Sequence, residues 1–114
     1  MTQPELQQLC KEWQKRLRLQ DWKVVCKFVD PLEVEGAYGN NLMNEQHKTS
    51  IIKIVDNYNY TTDFPTTVEE TLVHELLHLH FQSFWDADQK IPMEQAIELI
   101  SLALVGLKQG ETNV

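Results

Sequence analysis

The chain has 114 residues, 42% hydrophobic and 24% charged, with 10 Lys+Arg against 17 Asp+Glu and a formal net charge of −7. This length suits a single domain, residues 1–114, that buries a modest core without staples. The acidic balance argues against nucleic acid as a partner, since phosphate binding needs clustered cations, and no apolar run approaches the ~18 residues of a membrane span.

The polar first ten residues lack the apolar stretch of a secretory signal, so the expected location is the cytoplasm. Thr2 and Glu5 form a capping-box pattern with Pro4 in the first turn, which predicts a helix from Pro4 to Leu17. Leu6, Leu9, Cys10, Trp13 and Leu17 recur on it at helical spacing. Lys11, Lys15, Arg16 and Arg18 read as its solvated face. A strand follows, in which Trp22, Val24, Cys26 and Phe28 alternate with Lys23, Val25 and Lys27. Cys10 and Cys26 fall on apolar faces, as buried free thiols do. Asp30-Pro31 breaks the strand. A weaker strand is expected over Val34–Asn41, with Asn40-Asn41 as a turn, and a firm one over Ser50–Asp56, rich in β-branched residues.

Asn57–Phe64 reads as a loop and Pro65 precedes a second helix, with Thr66 and Glu69 as its capping box. Val68, Leu72, Val73, Leu76, Leu77, Leu79 and Phe81 carry this helix to about Phe84 or Trp85. Asp86–Lys90 is a polar connection. Pro92 opens a third helix whose stripe is Met93, Ile97, Ile100, Leu104 and Leu107, ending at Gly110. One helix, three strands and two helices make an α+β domain, with helices packed on an antiparallel or mixed sheet.

His74-Glu75-Leu76-Leu77-His78 fits the H-E-x-x-H pattern. Two histidines four residues apart project from one helix face. Both imidazoles can then reach one ion at ~2.0–2.1 Å. Glu75 lies about 100° round the helix from His74, placed to act as general base on metal-bound water. A catalytic zinc needs a third protein ligand. Glu94 and Glu98 share one face of the third helix. One carboxylate would bind the metal and the other would accept the remaining N–H of a ligand histidine, fixing its tautomer. His80, two residues past His78, points away from that face. His47 lies in a loop before the third strand. Tyr58 and Tyr60 are candidates to approach the cleft, where a phenol stabilises an oxyanion. Trp22 and Trp85 are expected in the core.

His74-Glu75-Leu76-Leu77-His78 followed by Glu94-Gln95-Ala96-Ile97-Glu98 resembles the gluzincin metallopeptidases. In thermolysin-like members the second motif is Glu-x-x-x-Asp, opening the glutamate helix. By that resemblance Glu94 is the third ligand, and Glu98 replaces the Asp that contacts the first ligand histidine. The element order resembles the small minigluzincins, and Leu19-Gln20-Asp21-Trp22 resembles a turn in small phage and bacterial proteins. The chain departs from the pattern in its short spacer between His78 and Glu94, which keeps Glu98 as an alternative ligand, and in carrying Glu where the family has Asp.

The resemblance implies one zinc per chain and hydrolysis of a peptide or protein substrate, held as an extended strand along a sheet edge expected at Ser50–Asp56. The competing reading is a zincin fold that keeps its metal as a staple and acts by binding a partner.

Overall fold

A computed structural model of the chain describes residues 1–55 and 66–112. In order they form α1 (Gln3–Arg16), β1 (Lys23–Val29), β2 (Gly39–Asn44), β3 (Thr49–Val55), α2 (Val68–Phe81) and α3 (Lys90–Thr112). The α+β expectation holds: three helices lie with a three-stranded mixed sheet. The expected loop at Asn57–Phe64, its Tyr58 and Tyr60, and Pro65 lie outside the described residues. No helix among the described residues is long and apolar enough to cross a membrane.

Helix α1 starts at the expected box. Glu5 N donates to Thr2 Oγ1 and Thr2 N donates to Glu5 Oε1, at 3.2 and 3.1 Å. Leu6, Cys10 and Trp13 are buried, and Lys11, Lys15, Arg16 and Arg18 are exposed. In β1, Val24 and Cys26 turn inward. Cys26 and Cys10 are both fully buried free thiols, and their contact together with burial pushes the Cys26 thiol up. Trp22 packs half-buried against this core.

The middle of the chain differs from the pattern. Pro31–Val34 is a turn of 3-10 helix, and the strand begins only at Gly39. Asn40-Asn41 is therefore strand, not turn. The reversal falls at residues 45–48, closed by Lys48 at φ 51°. The strand order is β1-β3-β2, with β1 parallel and β2 antiparallel to β3. Thus β3 is the central strand, not the open edge expected of Ser50–Asp56. Its Ile52 and Ile54 are fully buried, and both of its edges carry ladders.

That order gives the sheet two outer edges, and α1 closes one of them. Gln7 Nε2 donates to Val24 O at 3.0 Å, and Cys26 N donates to Gln7 Oε1 at 3.0 Å. One helical turn earlier, Gln3 Nε2 donates to Cys26 O and Phe28 N donates to Gln3 Oε1. Each carboxamide, with one acceptor and one donor, stands in for a peptide group of a missing strand.

Helix α2 is capped by Thr67 and Glu70, one residue later than the expected Thr66–Glu69 box. Glu69 is thereby free for the helix junction: Trp13 Nε1 donates to Glu69 Oε2 at 2.7 Å, and Lys108 Nζ donates to the same carboxylate. Helix α2 ends at Phe81, and Gln82–Phe84 tightens to 3-10 helix. On α3 the buried residues are Ile97, Ser101 and Val105. Ile100 and Leu107, expected in the buried stripe, are 37% and 67% exposed, and α3 runs through Gly110 to Thr112. It carries more apolar residues than one buried face holds.

The glutamine ladder has a specific electrostatic demand. Gln7→Glu leaves a carboxylate oxygen facing the Val24 carbonyl with no proton between them. It should cost about 1–3 kcal/mol at neutral pH, read as a lower urea midpoint. Below about pH 4 the protonated acid regains a donor and most of the loss should vanish. An unchanged midpoint at both pH values removes the ladder from the stability of the fold.

Candidate metal centre

His74 and His78 lie one turn apart on α2, on the side that is not packed into the core, and both are half-buried. Their ring centroids are 5.2 Å apart. Glu75 is 7% exposed on the same helix. These three residues offer donor atoms within 4.8 Å of one another.

Helix α3 brings the carboxylates expected from its first turns. Glu94 Oε2 is 3.1 Å from His74 Nε2, and Glu94 Oε1 is 3.0 Å from His78 Nε2. Glu98 Oε2 is 2.7 Å from His74 Nδ1. Ile97, fully buried between the two glutamates, fixes the rotation of α3 that presents them. In the tautomer whose Nδ1 proton is directed at Glu98, the Nε2 lone pair of His74 faces a carboxylate oxygen of Glu94. Two acceptors at that distance need a cation between them. Burial lowers the pKa of His78 against the opposing pull of Glu94, with His74 lowering it further. The charged imidazolium is thus disfavoured at His78, and neutral imidazoles are the form that ligates a metal; two of them with a carboxylate fit a borderline cation such as zinc.

The sheet supplies the opposite wall. Gly39 lets β2 approach α2 closely: a Cβ there would stand 2.9 Å from both Lys53 O and Thr71 Cγ2, and 3.8 Å from Glu75 Cγ. Asn41 Nδ2 donates to Glu75 O at 2.8 Å, and Asn41 Oδ1 accepts from the buried Ser50 hydroxyl. Asn41 therefore pins β2 to the helix at the residue between the two histidines. Asn40 Oδ1 is buried without a hydrogen-bond partner among the described residues. The resulting cleft has a volume of about 890 Å³ and runs from β2 past His74 and His78 to Trp85 and Leu102, a size suited to a ligand.

Sequence reasoning missed Gly39, Asn40 and Asn41 at this site, because a Gly-Asn-Asn run reads as a turn. Trp85, expected in the core, is 41% exposed and lines the cleft, since the 3-10 turn after Phe81 carries it off the buried face of α2. The other two histidines stay away. His80 is exposed, and its Nε2 donates to Leu17 O at 2.6 Å, at the C-terminal end of α1. His47 is exposed in the turn after β2. Comparison with protein-family models, curated proteins and solved structures found no match to this chain.

Burial pushes the Glu75 carboxyl up to about 7, with His74 opposing and the nearby Glu94 charge adding to the rise. Its folded pKa thus exceeds the ordinary unfolded value. The unfolded chain gives up this proton first, so stability is intact below about pH 4.5 and falls until the pH passes the folded pKa. In chelator-treated protein, Glu75→Gln should leave the urea midpoint at pH 4 unchanged and raise stability at pH 8 by on the order of 3 kcal/mol. A pH-independent difference would contradict this.

Proposed function

We propose that the chain is a zinc-dependent peptidase of gluzincin type, with His74, His78 and Glu94 as metal ligands. The observation that carries this reading is one carboxylate, Glu94, facing the Nε2 atoms of both histidines at 3.1 and 3.0 Å. Of the two acids near the histidine pair, Glu94 is assigned as ligand because both its oxygens are so aimed. Glu98 orients His74 through Nδ1.

Zinc held by His74, His78 and Glu94 would supply Lewis acidity at this site. The remaining work falls to the chain. Glu75, buried and raised to about 7, takes a proton from the attacking water and passes it to the leaving amine. A carboxyl poised near the working pH suits both transfers. The substrate lies extended along β2, the sheet edge beside the cleft that α1 leaves open, and pairs with its backbone. Two buried, unbridged thiols suit a reducing compartment such as the cytoplasm.

Protein purified without chelator should contain one zinc per chain by elemental analysis. Glu94→Ala should lose it almost entirely, and Glu98→Ala should bind about 10–100-fold more weakly in competitive chelator titration. Should Glu98→Ala prove the more damaging, the two carboxylates exchange roles. A folded parent that takes up no zinc sinks the metal site altogether.

Glu75→Gln should keep the metal and abolish cleavage of unfolded protein substrates, a loss of at least ~100-fold. Equal activity in the variant removes Glu75 from the reaction. A zinc-loaded parent that cleaves none of a broad substrate set favours the metal-stapled binding module.

A further inference from the structure

The outward face of α3 is apolar, and nothing among the described residues packs on it. Opposite the buried Ile97, Ser101 and Val105, the helix presents Leu99, Leu102, Ala103 and Gly106. Leu99 is 68% exposed and Leu102 40%. Ile91 and Leu107, on the flanks, are 71% and 67% exposed. Between residues 91 and 107 the only charged residues are Glu94 and Glu98, and both turn toward the histidines.

Two glycines sharpen the point. A Cβ at Gly106 or Gly110 meets nothing within 4 Å, and both sit inside the helix. Each weakens α3 by roughly 0.5–1 kcal/mol relative to Ala, with no contact among the described residues that requires it. Small residues on a helix surface let another backbone come close.

We propose that this face is a self-association surface, on which a second copy of the chain packs its own α3 across a two-fold axis. Charge permits that occupant here rather than elsewhere: a chain of net charge −7 repels its own copy over most approaches, and two copies meeting along α3 face each other with only the histidine-directed Glu94 and Glu98 charged between residues 91 and 107. Area permits it. Helix α3 has 23 residues and spans ~34 Å, matching the molecule's longest extent of 34 Å. Its outward half presents roughly 600 Å² before flanking residues are counted, near the ~800 Å² per partner of a standard interface. A self-complementary strip of this kind closes as a dimer rather than a filament. Leu102 also lines the main cleft, and Leu99 lines a hollow beside His74 and Glu94. A copy seated on α3 therefore walls the cleft on that side.

The test is sedimentation of the full chain, with and without zinc, at about 100 μM. The parent should sediment as a dimer. Leu99→Lys and Gly106→Leu, both at exposed positions, should raise the dissociation constant roughly 30-fold or more with unchanged far-UV circular dichroism. Leu32→Lys, at a leucine that is 91% exposed away from α3, should leave the dimer intact. A parent that stays monomeric overturns the proposal, and flotation of that monomer with phosphatidylcholine vesicles would assign the face to lipid instead. A dimer that survives both α3 substitutions overturns it equally. None of these outcomes depends on zinc binding or cleavage, so the metal-site reading stands or falls separately.

Discussion

A carboxylate set between two imidazoles governs how the last two helices meet. Glu94 reaches both ring nitrogens only if α3 crosses α2 at one height and one rotation, and the buried Ile97 and Val105 hold it there. The burial is apolar and forgiving, tolerating small sliding at modest cost. The polar contact is not, because oxygens a few tenths of an ångström out of place lose their partner. Glu98 adds a second constraint from the same face, on the other nitrogen of His74. Packing energy brings the helices together, and three polar contacts choose the register.

The opposite side of the cleft shows the same division. Ile52 and Ile54 attach the sheet to the helices by area alone. Gly39 and Asn41 then set the distance and height of β2 against α2, one by lacking a side chain and the other by a directed hydrogen bond to Glu75 O. Glu75 consequently sits in a narrow, poorly hydrated place between strand and helix. Its raised pKa follows from the close approach that Gly39 allows. Holding a carboxyl there is costly to the fold at neutral pH, the kind of local conflict that clusters at working sites.

Periodicity made the helical half legible. His74, Glu75 and His78 stand out because i, i+4 spacing maps directly onto one helix face, and the same rule put Glu94 and Glu98 together. Element order followed from capping boxes and alternation, with Thr2–Glu5 in register and the second box one residue late. The strand half was harder to read. Asn40 and Asn41 have turn chemistry locally, yet pairing with Lys53 and Ile52 and the bond to Glu75 O override it. The central place of β3 depends on a parallel crossover joining residues about 26 apart, which no local pattern encodes. On α3 the apolar residues cover two faces, so a single-stripe reading chose Ile100 and Leu107 where the core takes Ser101 and Val105.

The glutamine ladder along β1 has a consequence for what the sheet can become. Endless strand-by-strand growth, as in fibrils, needs two open edges on every subunit. Gln3 and Gln7 occupy the C=O of Val24, both backbone groups of Cys26 and the N–H of Phe28, leaving β2 as the edge that carries no such cover among the described residues. Two sheets joined edge to edge through β2 have no second uncovered edge, so strand pairing stops with them. The sheet can therefore take one further strand, and continuous sheet growth by strand addition ends at a pair.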